Sequence, residues 1–146
     1  MMKRLISFIL CLAFGACTSE PVPMHKMDYV GMYEYRTDQP LYNVPMEFGD
    51  YNSTNHDGDC LVLKPSGEYI LLQSGTTKAI TETKGQWKLT ILEYYSRDYY
   101  SISLDLHGYP IRVKKGKIRL LINDDLGVWY EKVSDSVPDD EAEYCM

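Results

Sequence analysis

The chain predicts an all-β fold: a single antiparallel meander of about eight strands closing into a small barrel. Three observations carry that expectation. Apolar and polar residues alternate with a period of two in segment after segment. Turns rich in Gly, Pro, Asn and Asp separate these segments at near-regular intervals. No window of ten or more residues has the spacing of an amphipathic helix. Alternation packs one face of a strand and leaves the other solvated. Closing a meander of sequential hairpins removes its exposed edges, which favours a barrel over a sandwich.

The strands follow in order. In Asp28–Arg36 (DYVGMYEYR), Tyr29, Gly31, Tyr33 and Tyr35 alternate with Val30, Met32, Glu34 and Arg36. Gly31 marks a bend or a close backbone approach. Leu41–Phe48 is compatible with a second strand, which Pro45 would confine to a sheet edge. Gly49–Asp59 is a polar loop of turn formers. Cys60–Gln73 is the clearest hairpin, with two apolar runs flanking Lys64-Pro65-Ser66-Gly67-Glu68. Ala79–Thr83 reads as a weak strand. Gly85–Leu92 is a strong one, with Trp87, Leu89 and Ile91 sharing a face. Tyr99–Leu106 alternates again, His107-Gly108-Tyr109-Pro110 reads as a turn, and Ile111–Lys114 follows. Lys115-Gly116 turns into Lys117–Asn123, whose Ile118, Leu120 and Ile122 face inward. After Asn123–Gly127, Val128–Val133 closes the set. Ser134–Met146, with Pro138 and the cluster Asp139, Asp140, Glu141 and Glu143, reads as a loose acidic tail. The tripeptides Gly31–Tyr33 and Gly85–Trp87 resemble those of the small lipocalin-like domains found in bacterial lipoproteins. That resemblance implies a barrel and nothing about a ligand.

The N-terminus supplies an address. Lys3 and Arg4 precede an apolar run of about ten residues, Leu5–Phe14, half of what a membrane-spanning helix needs. Gly15 and Ala16 then complete the pattern of a cleaved secretory signal. Phe14-Gly15-Ala16-Cys17 resembles the lipobox of bacterial lipoproteins, with Phe14 standing where that family usually has an aliphatic residue. The resemblance implies a signal over residues 1–16 and lipid attachment at Cys17. Ordinary cleavage after Gly15 is the alternative, and it would leave Cys17 a free thiol. Thr18 differs from the Asp that retains enterobacterial lipoproteins in the inner membrane, so the resemblance favours the outer membrane, with the domain in the periplasm or at the cell surface. Residues 17–27 contain Pro21 and Pro23 and read as an extended tether. The barrel is expected over 28–133 and the tail over 134–146.

Cys60 and Cys145 remain as an even pair in an oxidising compartment, where disulfides persist. Two unpaired thiols are the alternative. Removing the signal leaves 130 residues, enough for one domain with a core, and lowers the net charge from −6 to −8. That charge disfavours nucleic acid, which needs clustered Lys and Arg. It equally disfavours anionic head groups, so membrane attachment would come from Cys17 alone.

Chemistry-bearing patterns are sparse. Asn55–Asp59 is dense in oxygen ligands, but an EF-hand started at Asp50 has Asn55 at its sixth position and Leu61 at its twelfth, so no metal is expected. Ser103, Asp105 and His107 do not form a nucleophile elbow, and Asp124-Asp125 is ordinary turn chemistry. No phosphate loop or cofactor fingerprint is present, so neither a catalytic residue nor a cofactor is assigned. Tyrosine is what stands out: thirteen residues against three Phe, two of these in the signal. Tyr gives rigid contact area with a wettable end. Tyr94, Tyr95, Arg97 and Tyr99 crowd one connection and form the candidate binding surface. Core filling is the competing account of the tyrosines. The expectation is a membrane-anchored, non-catalytic envelope module that binds a protein, with a toxin-neutralising immunity protein as one specialised form. A barrel carrying a small apolar ligand is the alternative, since eight strands are just wide enough for either.

Overall fold

Period-two alternation becomes eight strands. The computed structural model describes residues 20–38, 58–74, 80–94, 97–124 and 127–145. The expected signal, Cys17, the Leu41–Phe48 stretch and the loop residues Asn55–Asp57 lie outside them. The strands are β1 (Gly31–Thr37), β2 (Cys60–Leu63), β3 (Glu68–Ser74), β4 (Ile80–Tyr94), β5 (Arg97–Leu104), β6 (His107–Lys114), β7 (Lys117–Asn123) and β8 (Val128–Ser134). Each pairs antiparallel with the next, and β8 pairs back with β1 to close the barrel. Strand order in space is strand order in sequence. Among the described residues the helical elements are two short 3-10 turns, Lys26–Tyr29 and Glu141–Glu143.

Two local readings are corrected. The strands expected at Ala79–Thr83 and Gly85–Leu92 are, from Ile80 onward, one strand of 15 residues. His107-Gly108-Tyr109-Pro110 is strand, because the turn falls earlier, at Asp105-Leu106. Asp105 takes a left-handed φ of 49°, a conformation Asp tolerates. Pro110 is the last β6 residue paired with β5, before pairing passes to β7 at Ile111. A missing N–H costs least at such a handover.

The inward face is built largely from tyrosine. Tyr33, Tyr35, Leu61, Leu63, Tyr69 and Trp87 are among the buried residues of one continuous cluster. Three of their polar ends are hydrogen-bonded. The Tyr33 hydroxyl donates to the Tyr29 carbonyl at 2.7 Å, and Trp87 Nε1 donates to the Lys64 carbonyl at 2.9 Å. The Tyr69 hydroxyl donates to Asp105 Oδ2 at 2.8 Å. Gly85 makes that last contact possible: a Cβ there would lie 2.1 Å from Asp105 Oδ2. Gly31, at φ 145°, leaves room for the Ser134 carbonyl, which a Cβ would meet at 2.0 Å. Gly31 and Gly85 are thus places where another part of the chain comes in against the wall.

The ends of the chain are docked on the barrel. From Glu20 onward the expected tether crosses the end of the barrel where β1 begins. The Glu20 carboxylate accepts from the Lys115 and Gly116 amides at 2.5 and 2.7 Å. Val22 packs on the core, Tyr29 is fully buried, and Lys26 Nζ lies 4.7 Å from the Trp87 ring centroid. Tyr29 and Val22 are apolar enough to plug that end, which a solvated spacer would not do. The expected loose tail is also tied down. Cys60 and Cys145 are joined in a disulfide with Cα atoms 5.9 Å apart. Tyr144 is buried in a second cluster with Cys60, Val62 and Ile70, on the outer face of β2 and β3. β2 is therefore buried on both faces, which is why Cys60–Leu63 reads as an unbroken apolar run.

Two expectations follow. The disulfide closes a separation of 85 residues. By chain entropy it contributes about 4.5 kcal/mol, so reduction or Cys145→Ser is expected to lower Tm by about 15 °C; an unchanged melt would contradict the stapled tail. Burial first, then Asp28 and Tyr100, pushes the Tyr29 pKa up to about 12. Burial first, then the hydrogen bond to Asp105, pushes Tyr69 to about 12, and burial raises Tyr33 further. These folded values lie above the unfolded one, so the stabilisation is present below about pH 10 and is lost as pH rises towards 12. Absorbance at 295 nm is expected to show a delayed tyrosinate fraction in the native protein that joins the main step in denaturant.

Candidate interaction surfaces

The predicted tyrosine surface lies on a ribbon that leaves the barrel wall. Ile80–Gln86 of β4 pair with β3, whereas Trp87–Tyr94 pair with β5. On β5, Ser101–Leu104 pair also with β6, while Arg97–Tyr100 pair with β4 alone. Residues 88–94 and 97–100 thus form a two-stranded extension whose outer edges have no ladder partner among the described residues. Open edges of this kind accept an added strand. Ile91 shares a face with Trp87 and Leu89 but is 58% exposed, and Tyr99 is 46% exposed, because the core ends before the ribbon does. Register sets Tyr94 opposite Arg97 and Leu92 opposite Tyr99. Tyr95 lies outside the described residues.

The residues weighed for chemistry are engaged locally. Asp105 takes hydrogen bonds from Tyr69 and from the Gln86 amide at 3.3 Å, and His107 is exposed. Asp59 is buried and accepts from the Ser74 amide at 2.9 Å. Asp124 holds Arg112 through two bonds of 2.8 and 2.7 Å. Among the described residues no three His, Cys, Asp or Glu side chains gather as metal ligands, and no helix is long and apolar enough to cross a membrane.

A charged cluster covers the outer faces of β7 and β8. Tyr130 points inward, so its neighbours Trp129 and Glu131 point out. Glu131 accepts from Lys117 Nζ at 3.1 Å and from Arg119 Nε at 3.0 Å, and the Arg119 guanidinium lies 4.2 Å from the Trp129 ring centroid. Burial alone would raise the Glu131 pKa, but hydrogen bonding and charge from Lys117, then Arg119 and Trp129, bring it below the usual carboxylate value.

Composition missed one feature. Arg112–Arg119 (RVKKGKIR) concentrates five of the fifteen basic residues in eight positions, with no acid among them. Register places Arg112 opposite Arg119 and Lys114 opposite Lys117. Like charges in direct opposition are unfavourable in a sheet, so the placement asks for an anionic neighbour. The free edges of the ribbon had no such signal, because the sequence splits β4 into two shorter strands.

The Glu131 cluster sets an acid limb. Its folded pKa lies below the unfolded value, so its stabilisation is present above about pH 4.5 and disappears as pH falls through the lowered value. Glu131→Gln is expected to cost about 1–2 kcal/mol at neutral pH and to flatten Tm against pH in acid. Parallel curves for the two proteins would contradict this account.

Neither a family model, nor a curated protein, nor a solved structure matches this chain, so its functional reading stands on its own residues.

Proposed function

We propose that this chain is a membrane-anchored lipoprotein of the bacterial cell envelope, lipidated at Cys17, that acts as a non-catalytic protein-binding module. The ribbon carries the reading. It holds Tyr94, Arg97 and Tyr99, presents exposed Ile91 and Tyr99, and leaves two strand edges open. Tyr and Arg are frequent anchors of binding energy, and an open edge offers main-chain hydrogen bonds to an incoming strand. An immunity protein that neutralises an incoming toxin is one specialised form. The alternative of a ligand-carrying barrel is weakened by the interior, where Tyr29, Tyr33, Leu61, Leu63, Ile102 and Leu120 are fully buried.

Capture tests the reading. The mature chain with Cys17→Ser, used as bait in a native envelope extract, is expected to retain a stoichiometric protein. Tyr95→Ser with Tyr99→Ser is expected to reduce that capture at least tenfold, about 1.4 kcal/mol or more, without moving Tm. Undiminished capture by the folded variant would remove the ribbon as the binding surface. Small apolar molecules extracted in place of a protein would favour the carrier.

A further inference from the structure

We propose that the β6–β7 hairpin, together with the N-terminal segment lying against it, is a bilayer-facing surface that rests on the phosphates of anionic phospholipids. The surface rests on the reading of Cys17 as the lipid anchor. Its position follows from chain length. Glu20 is held on the Lys115 and Gly116 amides, and it lies three positions after Cys17. Fully extended, that stretch spans at most about 11 Å. A lipid on Cys17 therefore brings the Lys115-Gly116 turn down to the head groups.

The chemistry at that end suits such a neighbour. Arg112, Lys114, Lys115, Lys117 and Arg119 cluster on the hairpin. Asp124 neutralises Arg112, and Glu131 is shared between Lys117 and Arg119. Lys114 and Lys115 are exposed, and no carboxylate is paired with either among the described residues. The Glu20 carboxylate is turned to backbone amides of the same turn, which lessens the local positive charge without cancelling it. Met24 and Met27, on the segment that crosses this end, are 67% and 60% exposed. Exposed apolar side chains at the same end of the barrel as unpaired lysines are the composition of an interfacial contact.

Overall acidity does not oppose this surface, because the charges are segregated. The acidic tail docks over β2 and β3, and its Glu141 pairs with Lys84 at 3.2 Å and Lys64 at 3.7 Å. In an eight-strand ring, β6 and β7 lie across the barrel from β2 and β3. Screening over roughly 8–10 Å at physiological salt lets the two sides act separately.

The test supplies the anchor chemically, so that it does not depend on whether the cell lipidates Cys17. The mature chain, whose other two thiols form the disulfide, is coupled through Cys17 to a maleimide lipid. One set of vesicles contains phosphatidylglycerol in phosphatidylethanolamine; the other is phosphatidylcholine alone. A membrane-impermeant acetylating reagent then reports each lysine by peptide mass. On the anionic vesicles Lys114 and Lys115 are expected to react at least about threefold more slowly than on the neutral ones. The protection is expected to vanish in high salt, while Lys84 is unchanged. Equal rates on both vesicles, or equal slowing at Lys84, would overturn the proposal. So would protection that arises only in whole envelopes, which would assign the hairpin to a protein. The intact mass of envelope-purified protein tests lipidation separately: a bare Cys17 would overturn the anchor reading whatever the vesicles report.

Discussion

The barrel depends on the seam between its first and last strands. β1 pairs with β2 on one edge and with β8 on the other, and without the second ladder the meander would be an open sheet with two long edges. Closure brings the Ser134 carbonyl to the space beside Gly31, where a side chain would collide. The β1–β8 register shifts between Met32 and Tyr33 as β8 comes to its end. A bulge of this kind bends a strand and increases local twist, which a small barrel needs in order to close.

The seam also decides what the chain ends do. β1 begins and β8 ends at the same end of the barrel, so both terminal segments emerge together. One turns across the opening and contributes Tyr29 to the interior. The other folds over the outer face of β2 and β3 and contributes Tyr144. The domain thus has two apolar clusters, one inside the wall and one outside it. The Cys60–Cys145 bridge joins the outer cluster to β2, which already belongs to the inner one. A short strand buried on both sides becomes the piece that couples them.

Strand identity was legible because alternation is a local signal: the shared face of Trp87 and Leu89 and the inward Ile118, Leu120 and Ile122 follow from spacing alone, and all five belong to the core or pack against it. The errors arose where a segment's fate depends on distant partners. Pro110 suggests a turn until its position at the β5-to-β7 handover is known. The proline-bearing segment after Cys17 suggests a solvated tether, but Glu20 finds the amides of a turn 95 and 96 residues away. The acidic tail suggests disorder, yet Tyr144, Val137 and Cys145 give it an apolar underside. For the candidate surface, the crowding of Tyr94, Tyr95, Arg97 and Tyr99 was visible in sequence. The ribbon's open edges were not, because strand ends must be matched across three strands before an edge is seen to be free.

Net charge was misleading for a related reason. A value of −8 for residues 17–146 describes a sum, whereas a surface responds to charges within about a Debye length. Folding separates the Arg112–Arg119 cluster from the acidic tail by placing them on opposite arcs of a closed ring. The same topology links the two proposed surfaces. β5 begins and β6 ends at one end of the barrel, so the tyrosine ribbon leaves the wall at the end that carries the Lys115-Gly116 turn. If that end lies on head groups, a partner gripping the ribbon must be reachable at the membrane surface. The opposite end, where Leu106 is 96% exposed on the β5–β6 turn, then points away from the bilayer. On the two proposals taken together, anchor, basic hairpin and ribbon would restrict a partner to one that is itself embedded in the membrane or held against it.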